Sequence, residues 1–255
     1  NDQLSPIRIG VIDGGFDTEH EDLKNKVNTV NSFNIPDSHG TRCAGIIGAE
    51  ANNGVGMAGL VWNGDLDLWD LSLTEEQSAQ YQGEDAPNYV AMNMILGGAV
   101  SLIEDGCKVI NLSNGQSGCY TMYIDNETGE EKYKLNTDLA DLDMTKEAWM
   151  QRWSSFNYSK NISYYFLPLL ENGYDFVLVQ AAGNGDSNHV SIDASMNGWF
   201  TWITLNRDDI VQSEHYSSVD LYNRIIVVGS AQPDGKGGYI QAAAVSYTHL
   251  TLPTT

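Results

Sequence analysis

The sequence predicts an α/β fold, a mostly parallel sheet with helices on both faces. Three observations predict it. Short Val- and Ile-rich runs at 7–12, 109–113, 176–182 and 224–229 are bounded by Gly, Asp or Asn, as buried parallel strands are. Longer stretches at 39–49, 90–105 and 145–171 separate these runs and carry helical spacing. Strands that alternate with helices are joined by crossovers, which makes neighbouring strands parallel. The 255 residues, 42% of them hydrophobic, suffice for a sizeable core.

Taken in order, 7–12 is an apolar run that stops at Asp13 and is followed by Gly14-Gly15, the mark of a buried strand entering a turn. Residues 39–49 form a helix whose small residues, Ala44, Gly45 and Gly48, allow close packing. At 66–71, Leu-Asp-Leu-Trp-Asp-Leu alternates as a strand does. Residues 90–105 read as a long helix buried on one side, and 109–113 as another buried strand. The helix at 145–171 contains Pro168, expected to interrupt it. Two stretches break the rhythm. Residues 117–143 are polar, tyrosine-containing and irregular, and 185–223 are long, with Trp199 and Trp202 near the middle. Loops of such length are usually functional or family-specific insertions.

Thirteen Lys and Arg against thirty-four Asp and Glu leave a formal charge of −21. That balance argues against nucleic acid as a partner, because phosphate binding is carried by basic residues. No window is apolar for the roughly 18 residues of a membrane helix. Between Cys43 and Cys107 there is no Lys or Arg, against ten acids, among them Asp65, Asp67, Asp70, Glu104 and Asp105. This stretch reads as a solvated acidic face, with attraction of a basic ligand or of calcium as the alternative. Three cysteines, Cys43, Cys107 and Cys119, are too few for a disulfide scaffold. Three free buried thiols are expected, with one bridge as the alternative. The chain opens on Asn1 with no basic-then-apolar leader, and so reads as a mature domain or an excised piece.

The last eleven residues, 245–255, resemble a translated sequencing adapter. The bases GTC TCT TAT ACA CAT CTG ACG CTG CCG ACG A encode Val245 to Thr254 in register and open a codon for Thr255. Residues 1–244 are therefore expected to be an incomplete catalytic domain and 245–255 to be foreign.

Three polar residues stand where a parallel sheet binds ligands, at the carboxyl ends of strands and the start of a helix. They are Asp13, His39 and Asn184. Their flanks are Val11-Ile12-Asp13-Gly14-Gly15-Phe16-Asp17, Ser38-His39-Gly40-Thr41-Arg42-Cys43-Ala44-Gly45 and Ala181-Ala182-Gly183-Asn184-Gly185. In order, they resemble the aspartate, histidine and oxyanion-asparagine motifs of the subtilases, the subtilisin-like serine peptidases. Val109-Ile110-Asn111-Leu112-Ser113-Asn114-Gly115 resembles that family's strand lining the substrate cleft, and Asn52 to Gly59 its loop after the histidine helix. His39 to Gly45 and Asn52 to Val55 also resemble the kexin and furin branch, which cuts after basic residues.

The resemblance implies a secreted or cell-surface serine endopeptidase acting on protein or peptide substrates, and it leaves room for a propeptide. It implies that His39 is the general base, that Asp13 orients it and that Asn184 donates to the oxyanion, a donor worth about 10²–10³ in rate. Ser113, Asn114 and Gly115 would line the substrate cleft. Asp22 and Asn53 match calcium-binding positions of the family, which implies a structural calcium ion, with a capping Asp and a turn Asn as the alternative, while the chemistry requires no cofactor. Cys43, one helical turn after His39, would pack beneath it as a small hydrophobe. The nucleophile is missing: the family's Gly-Thr-Ser motif does not occur in this chain. The chain as given is therefore expected to be inactive, with a non-catalytic peptide-binding pseudopeptidase as the alternative. A doubly wound nucleotide-binding domain would share the sheet, but Asp13-Gly14-Gly15-Phe16 is no Gly-x-Gly-x-x-Gly loop and no Walker sequence occurs.

Overall fold

The computed structural model describes residues 6–31, 39–72, 86–114, 120–129, 131–135, 144–145, 158–181, 200, 210–229, 231–233, 235–236 and 238–241. In chain order its first elements are β1 (Ile7–Asp13), β2 (Val27–Asn31), α1 (His39–Gly48), β3 (Gly64–Asp70), α2 (Ala86–Glu104) and β4 (Val109–Leu112). Then come β5 (Tyr120–Ile124), β6 (Glu131–Leu135), β7 (Met144–Thr145), α3 (Tyr158–Glu171), β8 (Val177–Ala181), α4 (Ser218–Tyr222), β9 (Ile225–Val228), β10 (Ala231–Pro233) and β11 (Tyr239–Gln241). The chain divides into two compact units, residues 1–113 with 172–178, and residues 114–171 with 179–255.

In the first unit the strands lie in the order β2-β3-β1-β4, with the start of β8 next. The pairs β2–β3, β3–β1 and β1–β4 are all parallel. At the far side, the Val177 amide donates to the Lys108 carbonyl at 2.9 Å. Side chains alternate across the sheet. Ile9, Val11, Leu66 and Leu68 face one way and form a buried cluster with Phe16, Leu23 and Ala44 of α1. Gly10 faces the other way. A β-carbon there would stand 2.8 Å from Ile110 Cδ1 and 2.9 Å from Leu102 Cδ1, so glycine is what lets α2 lie close on that face. Helices thus cover both faces of the sheet, as predicted.

Two of the acids from the basic-free stretch are not solvated. Asp67 is 0% exposed. It accepts from Arg8 Nη2 at 2.8 Å, Arg8 Nε at 2.9 Å, the Cys107 thiol at 3.2 Å and Asn28 Nδ2 at 3.3 Å. Arg8 also donates to the Asp105 carbonyl. Asp70, 3% exposed, accepts two backbone amides. The expected acidic face is therefore partly an internal bonding network. Cys107 is a free, buried thiol, and burial together with the Asp67 carboxylate pushes its ionisation up.

The second unit holds the rest of β8, with β9 beside it. It also corrects the expected irregular stretch at 117–143. Strands β5, β6 and β7 form a three-stranded antiparallel sheet, with Tyr120 opposite Leu135 and Ile124 opposite Glu131. The turn between β5 and β6 is organised by Asp125, whose carboxylate accepts the amides of Glu127 and Thr128, each at 2.8 Å. Such local bonding lets a polar segment pair as a hairpin.

In α3, Ile162, Phe166, Leu169 and Leu170 are buried at helical spacing. Phe166 meets Phe200 edge-on, with ring centroids 5.9 Å apart. Pro168 does not interrupt α3, which runs on to Glu171. Proline has no N–H to donate to the carbonyl four residues back, so one helical bond is lost, and the buried stripe holds the helix nonetheless. Of the expected helix over 145–171, Met144–Thr145 is strand instead, and 146–157 lie outside the described residues. Glu171 closes the helix onto the next segment, accepting from Ser213 Oγ at 2.6 Å and the His215 amide at 2.7 Å, with His215 Nδ1 at 2.8 Å. These donors hold its carboxyl down at about 2. Among the described residues no helix is long and apolar enough to cross a membrane.

Candidate active site

β1 ends at Asp13 and α1 begins at His39, so the two side chains come from the end of a strand and the start of a helix. They meet directly. His39 Nδ1 lies 2.8 Å from Asp13 Oδ1 and 2.9 Å from Oδ2. Asp13 is 1% exposed, and its Oδ1 also accepts the Gly14 amide at 2.7 Å. The His39 side chain is 57% exposed. A buried carboxylate so placed keeps the proton on Nδ1 and leaves Nε2, on the open side of the ring, as the basic nitrogen.

The contact depends on how closely α1 approaches the turn after β1. A β-carbon on Gly40 would stand 2.4 Å from the Gly15 carbonyl oxygen and 2.8 Å from the Phe16 ring. Only glycine beside His39 permits that approach. One residue on, Thr41 Oγ1 accepts the Asp17 amide at 2.8 Å and ties the helix to the same turn.

On the other side of β1, Val11 pairs with Asn111 and Ile12 with Leu112 of β4, which brings Ser113 level with Asp13. Asn111 Nδ2 donates to Ser113 Oγ at 2.9 Å. The Cys43 sulfur is 3.7 Å from His39 Nδ1, so it does lie against the imidazole, though half-buried and not enclosed. Burial pushes its thiol up to about 11, so it stays protonated and is no nucleophile. Asp13, His39 and Cys43 each offer a ligand atom within 4.8 Å of the others. Their contacts with one another account for the cluster.

Asn114 follows Ser113 and is half-buried. Gly115 and Asn184, both expected in the site, lie outside the described residues, as do Cys119, Trp199, Trp202 and 245–255.

The expected calcium residues are also side by side. Asn53 Nδ2 donates to Asp22 Oδ1 at 2.9 Å, and the Met57 amide donates to Oδ2 at 2.9 Å. The two bonds, Asn53 first, hold the Asp22 carboxyl below the usual carboxylate range. Carboxylate and carboxamide are the hard oxygen ligands calcium takes. As arranged, however, Asn53 presents its nitrogen to Asp22 and its oxygen to the Val55 amide.

The sequence reading missed Asp70, whose carboxylate reaches the Gly15 amide across 55 positions. Only its place in an alternating strand hinted at an inward-facing acid.

Comparison with known proteins is consistent in kind. The model of the subtilase family, Peptidase_S8, matches residues 5–247. A thermophilic serine proteinase of Bacillus sp. (strain AK1) is 31% identical over 127 residues, 46% of this chain and 28% of that protein. Mouse (Mus musculus) furin is 30% identical over 102 residues, 33% of this chain and 13% of that protein. The matched segments thus span less than a third of these relatives. Among solved structures, the S41 psychrophilic protease is similar at 19% identity over 96% of this chain and 62% of that one, with a TM-score of 0.47. The nisin leader peptidase NisP from Lactococcus lactis is similar at 20% identity over 71% of this chain and 46% of that one, with a TM-score of 0.35.

Proposed function

Because this chain belongs to the subtilase family, we propose that it carries the aspartate–histidine part of a serine endopeptidase. The observation that supports the reading most is the buried Asp13 carboxylate 2.8 Å from His39 Nδ1. In this reading His39 Nε2 takes the proton of a serine hydroxyl as its oxygen attacks a peptide carbonyl. Asp13 stabilises the imidazolium that forms, and the same proton then passes to the leaving amine. Asn184 donates its side-chain amide to the oxyanion, and Ser113, Asn114 and Gly115 line the peptide's path. Substrates are proteins or peptides, and the setting is secreted or cell-surface.

The chain contains no Gly-Thr-Ser sequence to supply the nucleophile. It is therefore expected to be silent toward a fluorophosphonate probe, while a contiguous gene product bearing the serine is labelled and loses labelling with His39→Ala. Labelling of this chain would contradict the assignment of a missing nucleophile. The absent motif also favours a second reading, a pseudopeptidase that binds peptide without cutting it. A native residue other than serine in that slot of the contiguous gene selects this second reading. The same nucleotide record tests the division into 1–244 and an adapter-derived 245–255, since codons unlike the adapter's would remove it. Basic specificity draws less support from the acidic stretch now that Asp67 and Asp70 are engaged internally.

Calcium at Asp22 and Asn53 belongs to the same proposal. An ion there would be held by the Asp22 carboxylate, with the Asn53 carboxamide presenting its oxygen in place of its nitrogen. Added calcium should raise the melting temperature by a few degrees and EGTA should reverse it, because an ion bound only to the folded state stabilises it. An unchanged melting temperature, or an equal rise in Asp22→Asn, would remove the ion from the proposal.

A further inference from the structure

Asp70 is a buried carboxylate that the catalytic reading does not use. It ends β3 in register with Asp13 at the end of β1, so the two side chains leave adjacent strands on the same face of the sheet. The Leu71 amide donates to the Asp13 carbonyl at 2.8 Å and locks the two strand ends together. Beyond that point, Asp70 Oδ1 accepts the Gly15 amide at 2.8 Å and the Ser72 amide at 2.8 Å. Gly15 has a φ of +73°, a left-handed conformation that a charge-assisted bond to its amide helps to hold.

The Gly14–Gly15 turn is also the seat of α1. Gly40 sits against the Gly15 carbonyl, its amide 3.5 Å from the Gly14 carbonyl oxygen. The turn thus stands between the two side chains that must meet: Asp13 immediately before it, and His39 on the helix resting on it.

We propose that Asp70 is a positioning residue for the Asp13–His39 pair, acting through the Gly14–Gly15 turn. The proposal rests on reading that pair as catalytic, but its test needs neither a serine nor turnover. In the 15N-histidine-labelled chain, long-range proton–nitrogen spectra show which ring nitrogen of His39 carries the proton, the signal being assigned by its loss in His39→Gln. The Nδ1-protonated form should dominate in the parent chain. Asp70→Asn keeps an acceptor oxygen in place and should preserve that form. Asp70→Leu removes the acceptor and Asp70→Glu moves it by about one methylene. Each should lower the ratio of Nδ1- to Nε2-protonated ring about tenfold, toward the Nε2 preference of a free imidazole. Thermal unfolding confirms that each variant is folded.

A folded Leu or Glu variant with an unchanged ratio overturns the proposal, as does an Asn variant that fails to preserve it. If neither Leu nor Glu folds, Asp70 serves the fold and not the pair, and the proposal falls. Probe labelling, by contrast, bears on the catalytic reading alone.

Discussion

Asp13→Asn should lower kcat by about four orders of magnitude, with KM little changed, in a form of this protein that carries the nucleophilic serine. The size follows from the burial of Asp13 and its two short contacts to His39 Nδ1. Asparagine is nearly isosteric, so the fold should survive. Its carboxamide can turn an N–H toward Nδ1, which leaves Nδ1 as an acceptor and puts the ring proton on Nε2, where the serine's proton must go. It also removes the negative charge that stabilises the imidazolium. The effect falls on kcat because the interaction strengthens only as charge develops on His39. Saturation kinetics on a chromogenic peptide check it, and a fall in kcat of less than tenfold would remove Asp13 from the mechanism.

Asp67→Ala should destabilise the first unit by about 3 kcal/mol, the low end of the range for breaking a buried ion pair. The carboxylate is fully buried and gathers bonds from Arg8, Asn28 and Cys107, which link β1, the start of β2 and the segment after α2. Removing it leaves the Arg8 guanidinium without its bidentate partner. The low end applies because the Arg8 side chain is 28% exposed and can recover some hydration. Urea unfolding measures the loss. A change under about 1 kcal/mol would class the pair with ordinary surface salt bridges.

Much of the fold was legible because burial writes itself into periodicity. The runs at 7–12, 109–113 and 176–182 became β1, β4 and β8 within a residue or two at each end. Helices α1 and α2 stand where the small-residue and apolar-periodic stretches lie. β2, by contrast, was not foreseen. Its sequence, Val-Asn-Thr-Val-Asn, holds too short an apolar pattern to announce a strand, and it owes its place to pairing with β3. The sheet of β5, β6 and β7 was missed for a related reason, since polar hairpins are set by turn bonding and cross-strand pairing and not by an apolar stripe.

The acids between Cys43 and Cys107 teach the same lesson about charge. Composition alone could not separate Asp67 and Asp70 from solvated neighbours, because the partners that make burial tolerable, Arg8 and the Gly15 amide, lie 59 and 55 positions away.

The residue order by itself determined that strands and helices would alternate, that Asp13 would end a strand and that His39 would open a helix, because local pattern and turn chemistry act over a few neighbours. Only the tertiary structure decided that His39 Nδ1 would sit 2.8 Å from Asp13, that Gly40 would be the point of closest approach and that Asp70 would hold the turn between them. Those contacts join strands and a helix distant in sequence, and they arise only when packing brings the elements together and each buried polar group must find a partner.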